Sequence, residues 1–285
     1  MGNTTINNFV AERISKELGD KILSKTLKPI TENTYFYISN IGKDETADGS
    51  ENKPFRKLNT CLEYIYKNYY ICWISKTIRI KFLTDYTEED DIVYLKSILG
   101  NQGSNSQYLI IDLNNKNVIL SSLFAERRTT NFMNGSLIVN SKGTTTYNLY
   151  SNNFGLLAFN CPIKITINNN VTNSTLAVNS SITEFYETVE FNFNSVNSID
   201  KLLQTAYQGR MRFHKPITLT GIDTTFKQCF AQSIHYGLLA FDSSATISNN
   251  ITVTGKRYDA SFNGTIVTNG KGTNFLRKIP MTELR

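Results

Sequence analysis

Acid–base chemistry on a sugar polymer needs two carboxylates across one cleft, and this chain spaces its acids poorly for that. No Asp or Glu lies between Glu126 and Glu184. Beyond the gap, up to residue 275, the acids are Glu184, Glu187, Glu190, Asp200, Asp223, Asp242 and Asp259. Glu184, Glu187 and Glu190 recur at every third position, which suits a strand edge or one helical turn more than a cleft. Asp223 and Asp242 are the pair left to weigh for catalysis. Against them stands the reading of all these acids as solvated or turn-forming groups. His214 and His235 have no partners at metal-ligand spacing, and no G-x-S-x-G elbow is present to hold a nucleophilic serine.

Binding chemistry is better supplied. A polar surface rich in Asn, Ser and Thr, with tyrosines standing on it, suits carbohydrate. Ring faces stack on the apolar faces of sugars while amides and hydroxyls bond their edges. Tyr147, Tyr150, Tyr186, Tyr207 and Tyr236 are the candidate contacts; the competing role for each is packing inside the fold or between subunits. A metal is weakly suggested in one place only. Asp44-Glu45-Thr46-Ala47-Asp48-Gly49 matches the first half of a calcium loop. Its twelfth position is Phe55, where a bidentate Glu is required, and its third is Thr46, a poor ligand. Asp44 and Asp48 therefore read as turn formers. No cofactor is expected.

The elements that would position these residues follow from periodicity. Residues 9–28 carry an apolar stripe of Phe9, Val10, Ile14, Leu18, Ile22 and Leu27, which predicts a helix ended by Pro29. A lone stripe of this length needs something to pack on, so Phe9, Ile14, Leu18 and Ile22 are candidates for attachment or oligomerisation. Tyr35 to Ile38 predicts a short strand, a polar loop runs from Asn40 to Lys53, and Leu58, Cys61, Leu62 and Ile65 fall on one face of a helix near 57–68. Thr77 to Leu83 alternates as a strand. Beyond Asn131, short apolar stretches recur every ten to twenty residues or so, as two or three strands per turn of a solenoid require. Gly155-Leu156-Leu157-Ala158-Phe159 returns as Gly237-Leu238-Leu239-Ala240-Phe241. Each copy is followed by an isoleucine (Ile165, Ile247) and paired asparagines, which predicts equivalent turns. An antiparallel sandwich is the structural rival, but Asn-Gly hairpin signals are scarce.

Composition agrees. Asparagine makes up about one residue in nine, favouring many strands joined by tight turns. The net charge of +6 comes from scattered basic residues, which argues for a mildly basic surface rather than a nucleic-acid footprint. No apolar run approaches membrane-spanning length. The start MGNTTINNF lacks the basic and apolar regions of a signal peptide, so synthesis and folding in a cytoplasm are expected. The four cysteines (Cys61, Cys72, Cys161 and Cys229) are widely spaced and read as reduced, packed thiols.

The segment from Tyr35 resembles a known family. Its aromatic strand, Gly42-Lys43-Asp44, Asp48-Gly49-Ser50, Lys53-Pro54-Phe55, Arg56-Lys57-Leu58 and apolar helix are similar to the opening segment of right-handed parallel β-helix proteins in bacteriophage tail fibres and tailspikes. The closing stretch Thr254-Gly255-Lys256-Arg257-Tyr258, Asn263-Gly264-Thr265-Ile266 and Thr268-Asn269-Gly270-Lys271-Gly272 resembles the end of such domains, although Leu276 to Pro280 replaces the usual proline–glycine close. The resemblance implies a mainly β, pectate-lyase-like solenoid over 35–275, with the helix near 57–68 capping its first end. Residues 1–34 form an attachment or oligomerisation segment, and 276–285 a tail. It further implies a homotrimer in a virion tail, joined to other tail or baseplate proteins and binding host surface polysaccharide, with neither nucleic-acid binding nor membrane insertion. A depolymerase on the same fold and a purely structural spacer are the alternatives.

Overall fold

The computed structural model describes residues 27–71, 76–96, 98, 109–126, 129–141, 147–168 and 173–269. The helix read over 9–28, with Phe9, Ile14, Leu18 and Ile22, lies almost wholly outside them. Lys28 at its end belongs instead to a strand, Lys28–Ile30, paired in parallel with Tyr69–Ile71. No described helix is long and apolar enough to cross a membrane.

The chain is a parallel β-solenoid, and the antiparallel sandwich does not form. Its strands stack into three faces. On face 1, Thr34–Ile38 pairs with Ile78–Phe82 and that with the start of Leu109–Glu126. The ladder continues through the start of Thr129–Ser141, then Leu156–Asn160, Ile182–Phe185, Arg210–Phe213, Leu238–Phe241 and Thr265–Val267. Face 2 carries Ile163–Ile167, Val189–Phe193, Ile217–Gly221 and Ile247–Asn249. Face 3 carries Leu149–Asn152, Ser174–Asn179, Ser198–Ala206 and Thr224–Ser233, and ends in Val253–Gly255 and Tyr258–Ala260.

Alternation explains the core. In Ile163–Ile167 and Val189–Phe193 every second residue is buried, because successive side chains leave opposite faces of a strand. Equivalent inward positions then align along the solenoid axis. On face 1 they form one aromatic column. Phe132, Phe159, Phe185, Phe213 and Phe241 are all fully buried, with centroids 5.3, 5.0, 4.7 and 5.4 Å apart and planes within 17° of parallel. The two copies of the Gly-Leu-Leu-Ala-Phe repeat are indeed equivalent, since Phe159 and Phe241 share this column. Their trailing isoleucines are offset, however: Ile247 aligns through Ile217 and Val189 with Ile163, not with Ile165.

The polar loop after Ile38 folds back on the first strand. Phe55 bridges Ile38 in parallel, and Gly49 has φ 83° where any side chain would run into the Phe36 ring. The helix Leu58–Asn68 follows, with Leu58, Cys61, Leu62 and Ile65 buried in the common core. Lys57 offers it no side-chain cap. Asp44 takes that role from a distance: its Oδ1 accepts the N–H groups of Arg56 (2.7 Å) and Lys57 (3.1 Å), and its Oδ2 accepts the Thr60 hydroxyl (3.2 Å). The Tyr86 hydroxyl accepts the Leu58 N–H at 2.8 Å. Asp48 accepts the Ser50 N–H at 2.9 Å. Asp44 and Asp48 of the half calcium loop thus serve backbone donors, and those that Asp44 accepts are otherwise orphaned at the helix start.

Candidate functional site

The corner between faces 3 and 1 is unlike the rest of the surface. Four of its turns are built as two residues of positive φ followed by glycine: Asn153-Phe154-Gly155, Tyr207-Gln208-Gly209, His235-Tyr236-Gly237 and Phe262-Asn263-Gly264. Consecutive turns are tied by backbone bonds, Gln208 N–H to the His235 carbonyl (3.1 Å) and Tyr236 N–H to the Phe262 carbonyl (3.2 Å). First-position residues therefore align with first, and second with second. On three of these turns the third position requires glycine, because a Cβ on Gly209, Gly237 or Gly264 would collide with the carbonyl of the preceding rung.

Nothing in the backbone asks for aromatics in this corner. A positive φ is uncommon for a bulky residue and costs about 1–3 kcal/mol. Yet Tyr207 (φ 50°), His235 (49°) and Phe262 (50°) all adopt it at the first position, and Phe154 (64°) and Tyr236 (63°) at the second. Four of them stay in solvent, Phe154 84% exposed, Phe262 70%, Tyr236 66% and Tyr207 57%, and His235 is half-buried between two of them. Tyr207, His235 and Phe262 stack along the axis at 5.0 and 4.9 Å, within 16° of parallel. The result is an exposed aromatic ridge on a rigid edge. Tyr207 and Tyr236 are legible as candidates in the sequence; His235, Phe262 and Phe154 are not. The signal that marks them is an aromatic one or two residues before a glycine that opens a face-1 strand.

The other tyrosines lie elsewhere. Tyr150 sits on the outer side of face 3, in a column with Tyr94 and Phe124 at 5.7 Å steps. Tyr147 stacks on it at 4.7 Å. Their hydroxyls accept the amides of Asn179 (3.2 Å) and Asn173 (2.9 Å), so this pair is tied down on the sheet surface. Tyr186 belongs to a charged cluster on the outer side of face 1. Its ring lies flat on His214 at 4.5 Å, and its hydroxyl donates to the Glu184 carboxylate. Burial first, and then Glu184, pushes the Tyr186 phenol up to about 12.

Asp242 is the hub of that cluster. Arg212 Nε donates to its Oδ1 at 2.8 Å, and His214 Nδ1 lies 2.6 Å from its Oδ2. Asp223 is far from this arrangement in the topology. It sits at the corner between faces 2 and 3, exposed, accepting the Thr252 N–H at 2.7 Å. The two acids weighed as a catalytic pair thus occupy different corners. Among the described residues no group of three or more His, Cys, Asp or Glu side chains gathers to hold a metal. Cys61, Cys161 and Cys229 are buried free thiols, and burial pushes all three up, Cys161 and Cys229 to about 12.

Burial of the Asp242 carboxyl opposes its ionisation, but the hydrogen bond and charge of Arg212, then those of His214, outweigh it and hold the group below the ordinary carboxylate range. A folded pKa below the unfolded one adds stability above the unfolded value and loses it as pH falls through the folded one. Asp242→Asn is therefore expected to cost about 1 kcal/mol near neutral pH. Urea titrations of both proteins should converge as pH drops below about 4. A pH-independent gap would mean that shape, not charge, holds the cluster.

Fold and surface together define a parallel β-solenoid with an aromatic ridge along one corner and a charged cluster on the face beside it. No family model, curated protein or solved structure matches the chain.

Proposed function

We propose that this protein is a structural, receptor-binding tail fibre or baseplate-associated protein of a phage or phage-tail-like particle, attaching without catalysis to host surface glycan. The observation that carries the glycan reading is the corner ridge. Exposed rings in costly backbone conformations give the fold nothing, and rings on a rigid edge are what sugar faces stack against. The tail-fibre reading draws on the likeness of the opening and closing segments. In it the solenoid winds right-handed, as parallel crossovers do, and the helix Leu58–Asn68 covers the first end, shielding open strand edges. Three copies form the fibre, residues 1–28 join it to neighbouring tail proteins, and three weak sites act with the avidity of one strong one.

Two measurements test this. Light scattering is expected to give a mass near three times 32.3 kDa; a monomer sinks the fibre. On an array of bacterial surface glycans, Tyr236→Ala is expected to weaken binding by about tenfold, the worth of one stacked ring. Undiminished binding would clear the ridge of a role.

The Glu184–Tyr186–Arg212–His214–Asp242 cluster favours a second reading, a depolymerase. It predicts release of reducing ends or unsaturated sugars, abolished in Asp242→Asn. Against it, a carboxyl that Arg212 and His214 hold below its usual range is poorly suited to act as a general acid.

A further inference from the structure

Among the described turns of the ridge corner, one is built differently. Asn179 pairs with Ala206 and Ile182 with Arg210. Ser180 and Ser181 alone join Asn179 to Ile182, whereas Tyr207, Gln208 and Gly209 join Ala206 to Arg210. The backbone bonds identify the missing residue. Phe154 N–H donates to the Ser180 carbonyl, as Gln208 N–H does to His235, so Ser180 holds the first position. Arg210 N–H donates to the Ser181 carbonyl at 2.7 Å, as Leu238 N–H does to Gly209, so Ser181 holds the third. The second position, filled by Phe154, Gln208, Tyr236 and Asn263 on the four other described turns, is absent here.

The ridge is therefore interrupted by a recess. Its floor is Ser180, whose hydroxyl donates to the Tyr207 carbonyl at 2.8 Å and so folds down against the backbone. One wall is Tyr207–Gln208, the other Asn153–Phe154. Rungs rise about 4.8 Å apart, so the walls stand about 9.6 Å apart, room for one ring at ordinary stacking distance. Tyr207 gives one ring face to His235. The opposite face looks across Ser180, the one first-position residue between Tyr207 and Phe262 or beside them that carries no ring. The turn residues flanking the recess on its two walls, Gln208 and Asn153, both carry amides. An apolar platform with amides at its margin fits the face and edge of a pyranose better than an aliphatic side chain.

We infer that the Ser180 recess binds one pyranose ring of a surface glycan, which stacks on Tyr207 and continues the Tyr207–His235–Phe262 column by one member. This rests on the glycan-attachment reading and locates its principal subsite.

The test is Ser180→Tyr, which fills the recess with the protein's own ring. Ser180 already has φ 47°, beside 50° at Tyr207 and Phe262, so the change demands no new backbone conformation, and the urea midpoint should fall only modestly, by the loss of the Ser180 hydroxyl bond and the added strain of a larger side chain. Tyr207→Leu makes the opposite change, removing the platform from an exposed position, and decides the matter should Ser180→Tyr fold poorly. Wild type and both variants would be titrated against hexasaccharides of glucose, galactose, mannose and N-acetylglucosamine. The expected result is binding of at least one by the wild type and a loss of about tenfold or more in each variant. Wild-type binding unchanged in both variants overturns the recess while leaving glycan attachment standing. No wild-type binding to any of the four overturns both. A change in solution mass on filling the recess, with glycan binding intact, overturns it in favour of a contact between copies.

Discussion

Phe185→Ala is expected to lower unfolding stability by about 3–5 kcal/mol, among the largest effects of any single truncation in this chain. Phe185 lies between Phe159 and Phe213 at 5.0 and 4.7 Å, nearly parallel to both, and is fully buried. Its removal leaves a ring-sized void with aromatic walls that cannot close, because each wall is itself fixed by the next ring in the column. Two stacking contacts worth about 0.5–1.5 kcal/mol each vanish with it. A solenoid is held rung to rung, so the damage should be local at first. Urea unfolding followed by circular dichroism measures the total. Hydrogen exchange should show protection falling first in Ile182–Phe185 and its two neighbours on face 1. Phe185→Leu, which refills much of the volume, should cost less than half as much. Equal losses from the two variants would mean that refilling the volume recovers nothing, so that the stacked ring itself, and not hydrophobic bulk, carries the stability.

Gly221→Ala is expected to cost about 3 kcal/mol, although the residue is exposed and the change adds one methyl group. Gly221 ends a face-2 strand with φ 100°, a region closed to L side chains, and a Cβ there would meet the Phe193 carbonyl. That carbonyl cannot retreat. It accepts the Ile222 N–H at 2.8 Å, and its own side chain is buried against Phe226. The comparison is Ile222→Ala next door, which trims a side chain already 41% exposed and should stay within about 0.5–1 kcal/mol. A Gly221→Ala protein as stable as wild type would show that this corner can shift as a unit.

Much of the fold is legible in the residues. Strict alternation in Thr77–Leu83, in Ile163–Ile167 and in Val189–Phe193 declares strands, and the Gly155 and Gly237 repeats declare equivalent turns. Other strands hide because their letters are mixed. Thr183 faces the core between Leu157 and Met211, fully buried, so Ile182–Phe185 shows no apolar run. Arg210–Phe213 presents two arginines outward, and Thr224–Ser233 is polar over half its length. The Gly237 repeat misleads by one detail: the corner Asp242–Thr246 is longer than its counterpart Asn160–Pro162, so the next isoleucine is reached late. At the ridge, tyrosines invite attention as sugar contacts, but His235 and Phe262 join them only once Thr205, Ser233 and Ala260 are known to share a column. The recess at Ser180 is less visible still. It is a missing residue, and an absence has meaning only against the turns above and below it.

The separation between the phenylalanine column and the corner has a consequence for how such a protein changes. Inside, every rung must present a ring or an aliphatic group of fixed size at a fixed height. At the corner, one residue can be lost and side chains from serine to phenylalanine exchanged while the flanking strands keep their register. The profile of the edge can therefore drift by single-codon insertions and deletions, each confined to one storey of the building and silent in the others. For an engineer the same property makes the corner a row of independent slots: lengthening the Ser180 turn, or shortening the Tyr207 or His235 turn, should move the gap along the edge without redesigning the interior.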